Sequence, residues 1–92
     1  MMPVEVEVDT VAQAREVIDA GADLVLLDNM PPDGLREVVA YARQSGSRAR
    51  LEASGGLTLD RAAEIAATGV DFLAVGALTH SAPALDIGMD LP

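Results

Sequence analysis

Lysine, cysteine and tryptophan are absent from these 92 residues, and tyrosine, phenylalanine and histidine occur once each. Without cysteine there is no disulfide framework and no thiolate metal site. The one histidine, His80, argues against a Ser-His-Asp arrangement and against a histidine metal cluster. It reads instead as a packing or capping residue near the last turn. With no lysine, six arginines face fifteen acids and the formal net charge is −9. Nothing here makes a basic patch, which excludes nucleic-acid binding as a function class. One tyrosine and one phenylalanine do not make a base-stacking platform either. No apolar run approaches the roughly 18 residues of a membrane span, and the chain does not open as a signal peptide does. A cytoplasmic, soluble protein with no membrane partner is the expectation.

Half the residues are hydrophobic, which allows a core and argues against intrinsic disorder. The length allows one small domain. Val4-Glu5-Val6-Glu7-Val8 alternates apolar and acidic residues and predicts a strand. Thr10 then caps a helix, with Gln13 completing a capping box, Val11, Ala14, Val17 and Ile18 forming the apolar stripe, and Gly21 ending it. Leu24-Val25-Leu26-Leu27 is a continuous apolar run, which predicts a strand buried on both faces. After Pro31-Pro32, Asp33 is placed to cap a second helix with Leu35, Val38, Val39 and Ala42 inward, stopped by Ser45 and Gly46. Arg50 to Ala53 is a third strand. Thr58 caps a third helix with Leu59, Ala62, Ala63 and Ala66 inward, Gly69 ends it, and Phe72 to Val75 form a fourth strand.

The order βαβαβαβ predicts a parallel sheet with right-handed crossovers. Gly21-Ala22-Asp23-Leu24-Val25 is echoed by Gly69-Val70-Asp71-Phe72-Leu73, 48 residues later. Two βα units in that span is the pitch of a barrel whose eight units take about 250 residues. The chain therefore reads as a partial (half) α/β barrel with parallel strands, followed by an extended carboxyl-terminal segment. A small flavodoxin-like sheet is the alternative.

In parallel α/β folds the reactive groups sit at the carboxyl ends of the strands. That rule gives four stations: Glu7, Asp28-Asn29, Ser54-Gly55-Gly56 and Val75-Gly76-Ala77. The last two are small-residue turns whose backbone N–H groups can approach an anion, and the helix opened by Thr58 can point its N-terminus at it. Either turn could also be only a tight βα connection. Glu7 could be a solvated strand residue and Asn29 could serve its local turn. Asp28, a carboxylate ending a buried strand, needs partners or a ligand. The acids on helix faces, among them Glu16, Asp19, Glu37, Asp60 and Glu64, are most simply solvated. Two carboxylates beside a phosphate cradle suit a ribose phosphate: the acids can hold Mg²⁺ or ribose hydroxyls and the turns can hold the phosphate.

Val4-Glu5-Val6-Glu7-Val8, Leu27-Asp28-Asn29-Met30, Leu51-Glu52-Ala53-Ser54-Gly55-Gly56, Thr68-Gly69-Val70-Asp71 and the run from Val75 to Ile87 together resemble the carboxyl-terminal portion of the quinolinate phosphoribosyltransferases. These are also called carboxylating nicotinate-nucleotide pyrophosphorylases. The resemblance implies an open α/β barrel joined to a separate amino-terminal domain, so that residues 1–92 would be the carboxyl-terminal portion of the barrel domain, with Leu85 to Leu91 running back toward the other domain. It implies a transferase that makes nicotinate mononucleotide, pyrophosphate and CO₂ from quinolinate and phosphoribosyl pyrophosphate, with Mg²⁺, in de novo NAD synthesis. By resemblance, Glu7 and Asp28 are the catalytic acids and contact the phosphoribosyl ligand and its Mg²⁺. Ser54, Gly55, Gly56, Val75, Gly76 and Ala77 hold its phosphate.

What departs from the family is the basic half of the site. A dicarboxylate and a polyanion call for several cations, yet Arg15, Arg36, Arg43 and Arg61 are expected on helices and Arg48 and Arg50 at the far end of a strand. The resemblance implies that the missing cations come from further sequence and from a homodimer partner. The chain alone is therefore expected to be inactive as a transferase and, as a half-barrel with free edges, to self-associate or bind the missing half. Two other readings are a non-catalytic phosphoribosyl-binding module and a related transferase acting on a different aromatic acid.

Overall fold

The computed structural model describes residues 2–55 and 58–74. Four strands alternate with three helices: β1 (Glu5–Val8), α1 (Val11–Asp19), β2 (Leu24–Asp28), α2 (Pro32–Gln44), β3 (Arg50–Ser54), α3 (Leu59–Ala66) and β4 (Phe72–Leu73). All neighbouring strands run parallel, in the order β1-β2-β3-β4. A sequential parallel order with crossovers of one hand puts every helix on the same face. A flavodoxin-like sheet reverses its strand order and is covered on both faces. The order found here is the barrel-wall arrangement.

One face of the sheet holds the core. Val8, Val25, Leu27, Leu51, Ala53 and Leu73 point to it, and Ala14 and Ile18 of α1, Leu35, Val38 and Ala42 of α2, and Ile65 of α3 close over it. Each fully buried leucine or valine contributes about 1.5–3 kcal/mol. Alternate residues point the other way and lie in register rows: Glu5 beside Leu24 beside Arg50, then Glu7 beside Leu26 beside Glu52 beside Phe72, then Asp28 beside Ser54. Among the described residues no helix covers these rows. The expectation that Leu24 to Leu27 is buried on both faces is therefore corrected. Val25 and Leu27 are fully buried, whereas Leu24 and Leu26 are only partly so.

Local signals account for most element ends. The Thr10 hydroxyl accepts the Gln13 N–H at 3.1 Å, as a cap should. The reciprocal bond comes to Gln13 Oε1 from the Asp9 N–H, one residue earlier than the capping-box pattern places it. Asp33 does not cap α2: the cap position is Pro31, with Pro32 opening the helix, and Asp33 pairs with Arg36 in the first turn at 2.8 Å. Proline is preorganised for that first position and has no N–H to satisfy. Thr58 does stand at the cap of α3, though its side chain makes no capping bond. The inner face of α3 also differs from expectation. Ile65 is buried and Ala62 half-buried, while Leu59 is 60% exposed and Ala63 and Ala66 face outward. The alanines fit either side, and the one large residue decides the rotation.

The internal echo is a structural repeat. In each copy a glycine with positive φ ends the helix, at Gly21 and Gly69, and the following aspartate ties its strand to the one before it. Asp23 donates its N–H to the Val4 carbonyl and accepts the Val4 N–H on Oδ2 at 2.6 Å. Asp71 does the same with both groups of Leu51, at 2.8 Å each, and its carboxylate also accepts from Arg43. Both ties lie at the amino ends of the strands, the pole of such folds that serves stability. Across α1 and α2, Tyr41 donates to Asp19 Oδ1 at 2.6 Å while Arg15 lies over its ring and pairs with Glu37. The Asp19 bond raises the Tyr41 pKa above its ordinary value. Among the described residues no helix is long and apolar enough to cross a membrane.

Candidate phosphoribosyl site

β1, β2 and β3 end side by side, and the pleat decides what their ends present. Glu7, Asp28 and Ser54 have the parity of the uncovered face, opposite to the buried Val8, Leu27 and Ala53. Asp28 stands directly beside Ser54, and Glu7 lies diagonally across from Asp28. Glu7 is exposed, and Asp28 and Ser54 are half-buried. Glu7 and Asp28 line one hollow of about 350 Å³ together with Asp9 and Gln13. Stations that lie far apart in the chain thus stand together on one face at the strand ends.

The turn after β3 is fitted to the turn after β2. Asn29 adopts a left-handed conformation, φ 54°, which asparagine tolerates better than most residues. Its N–H donates to the Ser54 carbonyl at 2.9 Å, stitching the two strand ends together. Gly55 has φ 83°, and a Cβ built there would sit 2.6 Å from Asp28 Oδ1 and 2.7 Å from Asn29 Oδ1. Only glycine satisfies both the backbone angle and the space. The Asp28 carboxylate and the Gly55 turn are therefore in direct contact. Gly56, Val75, Gly76 and Ala77, the remaining sequence-predicted cradle residues, lie outside the described residues, as do His80 and the tail from Leu85 to Leu91.

Two residues escape the sequence reading. Arg61 is on a helix, α3, as the sequence places it, and from there it also lines a cleft of about 230 Å³ with Asn29, Ser54, Gly55 and Ile65. The first turn of α3 lies at the same end of the sheet as the β3 carboxyl terminus it follows, so a cation there is near the site despite being helical. Its ion pair with Glu64, at 3.6 Å and half-exposed on both sides, is weak. Glu52 is the other. It is half-buried on the site face, one row below Asp28 and Ser54, and directly across Leu26 from Glu7. Burial pushes its pKa above the ordinary carboxylate value, and the Glu5 charge adds to the shift. The period-2 pattern Arg50, Glu52, Ser54 against Leu51 and Ala53 is the signal that places it on this face.

Comparison with known proteins agrees with the fold. Residues 1–90 match the family model for the quinolinate phosphoribosyl transferase C-terminal domain. The chain is 48% identical over 90 residues to the carboxylating nicotinate-nucleotide pyrophosphorylase of Mycobacterium leprae, covering 98% of this chain and 32% of that protein. It is 39% identical to the protein of the same name from Homo sapiens, covering 98% of this chain and 30% of the relative. The solved structure of the nicotinate-nucleotide pyrophosphorylase from Francisella tularensis superposes with a TM-score of 0.74 at 42% identity, covering 83% of this chain and 26% of that one. The chain thus spans about 30% of the length of the curated relatives it matches. By sequence and by fold, it belongs to the quinolinate phosphoribosyl transferase C-terminal domain family.

Proposed function

We propose that this chain forms the acidic and phosphate-holding side of the active site of a carboxylating nicotinate-nucleotide pyrophosphorylase. In that reaction quinolinate and phosphoribosyl pyrophosphate give nicotinate mononucleotide, pyrophosphate and CO₂. The observation that carries the reading is the contact between the Asp28 carboxylate and the Gly55 turn on adjacent strand ends. A ligand held there meets a carboxylate and the backbone of a glycine turn together, which suits a sugar phosphate. Family membership supports the particular reaction.

The chain's own groups divide the work. Backbone N–H groups of the Ser54-Gly55-Gly56 turn, with Val75-Gly76-Ala77, hold the 5′-phosphate. Glu7 and Asp28 accept from the ribose hydroxyls and place negative charge near the sugar carbon. Positive charge develops on that carbon as the bond to pyrophosphate breaks, and fixed anions stabilise it. Arg61 offers one cation beside the cradle. A Mg²⁺ ion fits the donor set: no three ligating side chains converge among the described residues, but Glu7 and Asp28 share a hollow. Mg²⁺ commonly takes one or two carboxylates and completes its shell with water and substrate phosphates. When bound, it would offset the charge of the departing pyrophosphate.

Calorimetry of the chain with phosphoribosyl pyrophosphate and Mg²⁺ tests the reading. Measurable binding is expected, weakened about tenfold by Asp28→Asn, the loss of one charge-assisted contact. No heat of binding up to millimolar ligand, with the chain folded, would sink it. Binding that never supports turnover, even with the basic portion of a relative supplied, favours the binding-module reading.

A further inference from the structure

The amino ends of the strands hold a charged hollow of their own, at the pole opposite the candidate site. It has a volume of about 470 Å³. Arg43 at the end of α2, Ser47, Arg48 and Ala49 in the turn that follows, and Arg50 and Asp71 at the starts of β3 and β4 line it. Three of the six arginines thus meet one aspartate, in a chain whose net charge is −9. We propose that this hollow binds a phosphate group, free or as a small monoester, and that it is separate from the phosphate cradle at the other pole.

The donors in the hollow are uncommitted. Arg43 gives only Nη2 to Asp71, at 3.2 and 3.3 Å, which leaves Nη1 and Nε for another acceptor. Asp71 also accepts the Leu51 N–H at 2.8 Å, so it has little capacity left for a second guanidinium. Among the described residues Arg48 and Arg50 make no ion pair and no side-chain hydrogen bond. The Ser47 hydroxyl accepts the Ala49 N–H at 3.0 Å and keeps its own proton to donate. Guanidinium forks beside a hydroxyl match the oxygens of a phosphate, and such charge-assisted bonds are about twice as strong as neutral ones.

The opposing charges are met elsewhere or lie too far away. Asp23 is held on the Val4 N–H and Asp19 on the Tyr41 hydroxyl. The carboxyl end of α2 points here, and its dipole would oppose an anion. That end is closed, because the carbonyls of Tyr41, Ala42 and Arg43 accept the N–H groups of Ser45, Ser47 and Gly46. Glu5 stands two strands from Arg50, across Leu24, about 10 Å at about 4.8 Å per strand. Asp28 lies beside Ser54, at the other end of β3 from Arg50, about 13 Å at about 3.3 Å per residue. Both distances exceed the screening length of about 8 Å at physiological salt. Glu52 is nearer, one pleat step from Arg50, and lowers the field there without pairing with it. The arginines therefore decide the local field. The inference goes beyond the transferase reading and does not rest on it, since it uses no group at the carboxyl ends of the strands.

Amide NMR spectra of the 92-residue chain, titrated with inorganic phosphate and separately with glycerol 3-phosphate, test the proposal. Saturable shifts are expected at Ser47, Arg48, Ala49 and Arg50, with a millimolar dissociation constant, and sodium chloride at matched ionic strength should not reproduce them. Equal affinity for the two probes would mark the bare phosphate group as what is recognised. Tighter binding of glycerol 3-phosphate would mark a monoester, and either result supports the site. The double variant Arg48→Gln/Arg50→Gln should bind about tenfold or more weakly. Circular dichroism checks its fold, and Arg48→Gln alone, in the exposed turn, replaces it if the double variant does not fold. No saturable shift at these four amides overturns the proposal. So do shifts that chloride matches, or an affinity that the arginine variant leaves unchanged. Shifts at Ser54 and Gly55 report the cradle separately, so either idea can fail without the other.

Discussion

Gly55 shows how one residue fixes a site. Its positive φ costs a side-chain-bearing residue about 1–2 kcal/mol, and a methyl group would also press on the carboxylate of Asp28 and the amide of Asn29. Gly55→Ala is therefore expected to destabilise the chain by about 2–4 kcal/mol in urea unfolding, adding a clash of about 1–2 kcal/mol to the strain. A loss under about 0.5 kcal/mol would show the turn to be roomier than described. Glu52 makes a second prediction, on pH. Its carboxyl has a pKa raised in the folded state, so the folded chain prefers it protonated. The stability from that preference is complete below the ordinary value of 4.5 and is lost as pH rises through the folded value. Glu52→Gln removes the penalty, so the variant should gain stability over the wild type between about pH 4 and neutrality. A difference that stays flat across that range would rule out the assigned cause.

At the scale of elements, the repeated Gly-x-Asp unit works as a device for register. Each aspartate binds both backbone groups of one residue at the start of the preceding strand, Val4 just before β1 and Leu51 within β3, and the pairing of β1 with β2 and of β3 with β4 starts from that point. Asp71 does more than Asp23, since it also accepts from Arg43 and its bond to the Leu51 N–H is partly buried. Asp71→Ala should cost about 2–3 kcal/mol and Asp23→Ala about 1 kcal/mol, by the general penalty for an unmet buried donor against an exposed one. Equal losses in chemical denaturation would refute the ranking. Elements also show where sequence reasoning stops. The stripes of α1 and α2 contain valine, leucine and isoleucine and were legible. In α3 alanine occupies both sides, so the sequence pattern could not orient it. A proline pair hid the start of α2, because Asp33 has the chemistry of a cap and Pro31 has only the geometry.

At the scale of the whole molecule, the uncovered face explains both the composition and the expected inactivity. The site face holds Glu7, Asp28 and Glu52, and the cation that lines the cradle cleft, Arg61, comes from the helical side. Recognition of a dicarboxylate and a pyrophosphate needs more positive charge than this. The purified chain is expected to form no nicotinate mononucleotide from quinolinate and phosphoribosyl pyrophosphate. Product above a no-protein control, by chromatography, would refute that. The sequence by itself determined the seven elements, their parallel order, the acids and glycines at strand ends, and the shortage of cations. It did so because periodicity, caps and glycine turns are local, and charge is a matter of counting. Only the tertiary structure decided that all helices share one face, that Leu24 and Leu26 stay half-covered, that Arg61 reaches the cradle, and that Asp28 touches Gly55. Those facts depend on strand order, register and pleat, which join residues about twenty or more positions apart and leave no mark on any short stretch of chain.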